Sequence, residues 1–236
     1  MKRFYRQVTV RPEAGGWRVW LDERGLKTPA AAPQVVPTEA LAEAMASEWR
    51  EQGEEIDTSA FGFRDLADFA LDTVTKDCGR IVEELLAYAE TDTLCYRAPE
   101  GEALHRRQRA EWEPLLVAAE ARYDVRFRRV AGIVHEPQPE ETAKRLRSVL
   151  EAQGPFALAA LTMMASLAAS LVIALAALEP DAEADALFDA ANLEEDFQAE
   201  LWGADAEAET RRATRAAAFA MAQRFAALSY PDPGKA

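Results

Sequence analysis

The first thirty residues alternate between apolar and polar. Residues 4–10 are β-prone, and Trp17-Arg18-Val19-Trp20-Leu21 is a second short run of the same kind. Gly15-Gly16 and Asp22-Glu23-Arg24-Gly25 supply turns, the second ahead of a short run at residues 26–28, and Pro29 and Pro33 end what reads as a small antiparallel meander. The period then changes to helical. Thr38 is placed to cap a helix with the stripe Leu41, Ala44, Met45 and Trp49, ending near Gly53. From Phe63 one helical face holds Leu66, Phe69, Ala70 and Val74, and after Cys78-Gly79 a second holds Ile81, Leu85, Tyr88 and Ala89, until Thr91-Asp92-Thr93 breaks the run. A third helix is predicted over residues 102–123, with Trp112, Leu115, Leu116 and Ala119 as its core stripe, and with Pro114 implying a kink or a late start. A strand-like run at 125–134, a helix beginning near Pro139 or Glu140, an uncharged helix, an acidic helix at 181–202 and a last helix at 206–228 complete the chain. The fold class is α+β with segregated parts: a small β-rich N-terminal domain with the first helix, residues 1–60, and a larger all-helical C-terminal domain, residues 61–236.

The uncharged helix changes the picture only if it is a membrane span. Residues 156–178 are twenty-three positions without a charge, long enough to cross a bilayer. Nine of them are Ala, however, Thr162, Ser166 and Ser170 recur every fourth position, and the flanks Gly154-Pro155 and Glu179-Pro180-Asp181 lack anchoring Lys and Arg. The segment reads as the buried central helix of a helical domain, and the chain as not membrane-spanning. Residues 1–5 run straight into the strand pattern with no apolar leader, so the protein is expected to stay where it is made.

With 49% apolar residues and aromatic residues along its whole length, the chain carries enough to pack a core. Its formal charge is -14, and between Arg147 and Arg211 there are thirteen Asp and Glu and no Lys or Arg. Nucleic acid is thereby disfavoured as a ligand, since phosphate binding needs clustered cations; a basic or polar protein surface suits that half better. Cys78 and Cys95 are too few to staple the fold and are expected to be reduced. His105 and His135 have no metal-ligand spacing, and no phosphate-binding Gly-rich loop or nucleophile elbow occurs, so neither catalysis nor a metal or other cofactor is expected.

The acidic helix has the most informative local geometry. Leu187, Phe188, Ala191, Phe197, Leu201 and Trp202 would define one apolar face; at 100° per residue Glu194 falls near its middle, Gln198 lies one turn on, and Glu195 sits at its edge. A carboxylate centred on an apolar stripe needs a partner, because burying it alone costs several kcal/mol in rough terms. Two partners are open: an internal Arg106, Arg107, Arg109 or Arg145, or a donor on another protein.

Several segments together resemble one family. Lys2-Arg3-Phe4-Tyr5, Ser47-Glu48-Trp49, Thr91-Asp92-Thr93-Leu94-Cys95-Tyr96-Arg97, Glu111-Trp112-Glu113-Pro114-Leu115 and Leu193-Glu194-Glu195-Asp196-Phe197-Gln198, continuing to Leu201-Trp202-Gly203, occur in the order found in chaperones that assemble the ATP synthase catalytic head, the assembly factor 2 type of mitochondria and α-proteobacteria. The resemblance implies a β-rich N-terminal domain, a helical C-terminal domain, and a client, the unassembled α subunit, kept from aggregating until the β subunit replaces the chaperone. It also ties Glu194, Glu195 and Glu200 to client handling, with Gln198 and Trp202 beside them as partner-binding candidates. Trp49, Trp112 and Gly203 are assigned structural roles. The Ala204-Asp205-Ala206-Glu207-Ala208-Glu209 stretch departs from the acidic, His-containing continuation of the family. The start at the matching segment implies a bacterial cytoplasmic protein, with eukaryotic relatives in the mitochondrial matrix. The alternative is an acidic adaptor that sequesters another basic protein.

Overall fold

The computed structural model describes residues 1–132, 134–203 and 205–231 and divides the chain into two compact units. The first comprises Met1–Cys78, Gly154–Ala160 and the chain from Arg224; the second comprises Gly79–Gln153 and Leu161–Gln223.

In the first unit the alternating segments form a hairpin of β1 (Val8–Glu13) and β2 (Gly16–Leu21), with Val10 opposite Val19 and Glu13 opposite Gly16. Gly16 is required where it stands: a Cβ there would lie 2.1 Å from the Val36 carbonyl oxygen. The third strand predicted at 26–28 is instead β3 (Arg24–Gly25), and β4 (Val35–Val36) pairs with the other end of β2. These strands are short because Pro29 and Pro33 leave little chain able to complete a ladder. Helix α1 (Glu39–Arg50) packs on β1 and β2, and the Thr38 hydroxyl accepts the Leu41 N–H at 3.1 Å as its cap. Trp49 lies buried between Tyr5 and Phe61, with ring centroids at 5.6 and 4.4 Å, and the Tyr5 hydroxyl donates to the Trp49 carbonyl at 2.6 Å. Beside it the Glu48 carboxylate accepts the Phe63 and Arg64 N–H groups at 2.6 and 3.0 Å, capping α2 (Gly62–Phe69). Burial, only partly offset by those bonds, pushes the Glu48 pKa up to about 7. Beyond α2 the chain widens into a π-helical turn, Ala70–Val74.

The second unit is helical: α3 (Cys78–Glu90), α4 (Ala103–Tyr123), α5 (Glu140–Glu151), α6 (Pro155–Ala168), α7 (Leu171–Ala176), α8 (Ala184–Ala191), α9 (Leu193–Trp202) and α10 (Ala206–Ser229). Cys78, the first residue of α3, the opening of α6 and the end of α10 belong to the first unit. Between α3 and α4, β5 (Tyr96–Arg97) runs parallel to β6 (Val130–Ala131). The strand-like run at 125–134 thus contributes only two residues to a ladder, and Ile133 within it lies outside the described residues, as does Ala204. Helix α4 continues through Pro114.

Two predicted helices are each broken in two. The uncharged run divides between α6 and α7 at Ala169, whose φ is +47°, and Ser170, whose hydroxyl accepts the Ile173 N–H at 3.1 Å. The cause is distant in sequence. Asp92, fully buried, accepts N–H groups from Val172 at 2.9 Å and Leu94 at 3.1 Å, while the Thr93 N–H and hydroxyl donate to the Ala169 carbonyl at 3.2 and 2.8 Å. The residues that break the helical pattern at 91–93 therefore hold open the break at 169–171. Burial, opposed by these bonds, raises the Asp92 pKa to about 6. Among the described residues no helix is long and apolar enough to cross a membrane. The second break, between α8 and α9, reshapes the candidate site.

Candidate functional site

Helix α4 is the base of the site. Its inward stripe is Gln108, Trp112, Leu116 and Ala119, all buried, at positions i, i+4, i+8 and i+11. The Trp112 indole N–H donates to the Ala190 carbonyl at 2.7 Å, and the Arg97 guanidinium lies 5.1 Å over its ring. Gln108 is the hub. Its backbone carbonyl accepts from Arg97 at 2.8 Å, its side-chain oxygen accepts the Ala98 N–H at 2.8 Å, and its amide nitrogen donates to Glu194 at 2.5 Å. Glu113, on the neighbouring face, takes Arg129 at 2.7 Å.

Helix α9 lies against this base. The acidic helix does not run unbroken to Trp202: Asn192, buried, has φ -101° and ψ 14°, and its amide donates to the Phe188 carbonyl at 2.7 Å. The turn carries the chain off the helical rotation, so the stripe of α8 does not continue along α9. Leu187 and Phe188 are buried, Ala191 and Phe197 are half-buried, and Leu201 and Trp202 stand out into solvent at 59% and 82% exposure. Glu194 is accordingly exposed rather than centred in an apolar face, and its partner is the Gln108 amide rather than any of the four arginines proposed for it.

The remaining candidates are also at the surface. Glu200 receives two bonds from Arg107, both at 2.7 Å, and Glu195 lies 3.8 Å from Arg215. Asp196 accepts from Arg212 at 2.9 and 2.7 Å, and the same guanidinium reaches Asp189 at 2.7 Å. Hydrogen bonds donated to Glu200 by Arg107, and to Asp196 and Asp189 by Arg212, hold both guanidinium groups even more firmly protonated than usual. Gln198 accepts the Trp202 indole N–H at 3.0 Å. Gly203 ends α9 with φ +93°, a conformation in which a side chain would be strained, and its N–H closes on the Ala199 carbonyl at 2.9 Å. Carboxylates, an amide and an exposed indole on one helix can receive a cationic and partly apolar protein surface. Among the described residues no group of three or more His, Cys, Asp or Glu is placed to hold a metal ion.

Sequence reasoning missed Gln108. The signal was available: it stands on the α4 core stripe one turn before Trp112, where a polar residue must find partners.

The family described as ATP12 chaperone protein matches residues 2–120. The protein named atp12, mitochondrial, of Schizosaccharomyces pombe is 26% identical over 214 residues, covering 86% of this chain and 74% of the relative. The crystal structure of Atp12 from Paracoccus denitrificans is 37% identical and superposes with a TM-score of 0.92, covering 97% of this chain and 98% of that one. A family match over half the chain, joined to a structural relative of the same length and topology, places the chain in the ATP12 chaperone family.

Proposed function

We propose that this protein holds the unassembled α subunit of ATP synthase during construction of the catalytic head, shielding it until the β subunit takes its place. The observation that carries the reading is the exposure of Leu201 and Trp202 at the end of a helix whose three glutamates, Glu194, Glu195 and Glu200, all lie at the surface. An indole at 82% exposure has no role in packing the core, and exposed apolar side chains grouped with polar ones mark recognition sites.

The ion pairs suit a carrier. Surface pairs such as Arg107–Glu200 and Arg215–Glu195 contribute about 0–1 kcal/mol each, so a client cation can take over a carboxylate at little cost. Apolar cover on Trp202 and exchange of weak ion pairs give a complex that a better-fitting subunit can displace. Holding of this kind needs no bond made or broken.

The test is co-purification from a cell that assembles the synthase. The tagged chain should retain free α subunit and leave assembled catalytic heads behind. Retention of a different basic protein, with α absent, overturns the assignment in favour of an adaptor.

A further inference from the structure

Three of the four carboxylates of α9 are neutralised by the chain itself, and one is not. Glu195, Asp196 and Glu200 each stand beside a guanidinium, that of Arg215, Arg212 and Arg107 respectively. Among the described residues Glu194 has no ion pair. Its side chain accepts one hydrogen bond, from the Gln108 amide to Oε1, which leaves Oε2 unengaged. The arginines just before Gln108 are occupied elsewhere: Arg107 with Glu200, and Arg106 with the Gly101 carbonyl at 2.7 Å.

Gln108 is a fixed donor. It is fully buried, and its side-chain oxygen is taken by the Ala98 N–H at 2.8 Å, so the amide nitrogen is the end that must face Glu194. Arg97 holds its backbone carbonyl, also at 2.8 Å, and is itself buried and paired with Glu113. Residues 97 and 98 thus lock the main chain and the side chain of one residue of α4. An amide orients a carboxylate without cancelling its charge, whereas a guanidinium does both. That difference separates Glu194 from the other three.

We infer that Gln108 is a positioning residue for client recognition: it holds Glu194 in one orientation with its charge uncancelled, so that Oε2 is presented to a Lys or Arg of the client. This inference rests on the holding function proposed above and names the carboxylate through which it acts. Glu195, Asp196 and Glu200 must each give up a guanidinium before meeting a client cation. Glu194 gives up nothing, because Oε2 is additional to the oxygen that Gln108 uses. A carboxylate already held in place also loses little freedom on binding.

The experiment is a double-mutant cycle on the full chain, with affinity for purified α subunit measured below the thermal midpoint of every variant. Glu194→Gln, which keeps an oxygen for the Gln108 amide, should weaken α binding about tenfold and lessen its salt dependence. Gln108→Met should weaken binding by releasing Glu194, and the double variant should bind no worse than Glu194→Gln alone, since no charge is left to position. Glu194→Asp keeps the charge but draws it back from Gln108, and it too should bind more weakly than wild type; this variant carries the test if Gln108→Met does not fold. Wild-type affinity and salt dependence in Glu194→Gln overturn the contact. Additive losses in the cycle, or a Glu194→Asp protein that binds as wild type does, overturn the positioning role while leaving the holding function intact. Wild-type chain that fails to bind α overturns the holding function itself.

Discussion

Asp92 and Glu200 are both carboxylates, in one helical unit, and they stand in opposite conditions. Asp92 has no exposure and accepts backbone N–H groups from two segments some eighty residues apart in sequence, so its charge is spent on the fold. Glu200 is exposed and meets one flexible guanidinium. The same division separates Trp112, fully buried with its indole N–H bonded to Ala190, from Trp202, exposed with its indole N–H bonded to Gln198 in its own helix. Segments that look alike as motifs thus divide by burial into those that hold the unit together and those free to meet something else.

The largest expected effect belongs to the interior. Trp112→Ala removes a fully buried ring and leaves the Ala190 carbonyl without its donor, and should lower unfolding free energy by roughly 3–5 kcal/mol in denaturant titration. Trp202→Ala, the matching change at the surface, should leave the midpoint where it was. Equal losses from both would erase the distinction between the two regions.

Asp92→Ala comes next, since it strands the Val172 and Leu94 N–H groups at about 1–3 kcal/mol for each buried donor without an acceptor. Its pH dependence sharpens the contrast. With a folded pKa raised from 3.8 to about 6, the native protein between those values holds a proton that the unfolded chain has lost, so the stability Asp92 contributes is highest at the acid end and falls as pH rises through 6. Glu48, raised from 4.5 to about 7, acts in the same direction over a slightly higher window. Wild type should therefore lose stability relative to Asp92→Asn as urea midpoints are followed from pH 4.5 to pH 7. A difference that does not vary over that range would contradict the buried charge.

The smallest effect on folding should come from α9. Glu195→Lys and Glu200→Lys each remove a surface pair and should cost within about 1 kcal/mol, while Glu194→Lys leaves the buried Gln108 amide without its acceptor and should cost about 1–3 kcal/mol. A Glu194→Lys protein that unfolds would move Glu194 into the company of Asp92.

The sequence disclosed elements whose causes are local. Thr38 capping α1, the β-prone hairpin and Trp112, Leu116 and Ala119 on the α4 stripe follow from neighbours within a few residues and form where the pattern puts them, while Leu115, predicted on that stripe, stands half-buried beside it. The two helix breaks were hidden for different reasons. At Ala169 the deciding groups, Asp92 and Thr93, arrive from another part of the chain, and apolar periodicity in an Ala-rich run has no way to register them. At Asn192 the signal was present, an Asn inside a helical pattern, but six apolar residues at compatible spacing outweighed it. That single turn decided the site: it turned Leu201 and Trp202 outward and exposed Glu194. The residues of the acidic patch were legible, and their accessibility was not.

The central claim is that the α9 carboxylates serve recognition and not folding. Light scattering of unassembled α subunit, recorded with wild-type chain and with Glu195→Lys/Glu200→Lys at matched thermal midpoints, tests it most directly. The account predicts that wild type suppresses aggregation and that the doubly reversed chain, equally folded, does not, because lysines facing a basic client are repulsive as well as unpaired. Full suppression by the reversed chain would contradict it.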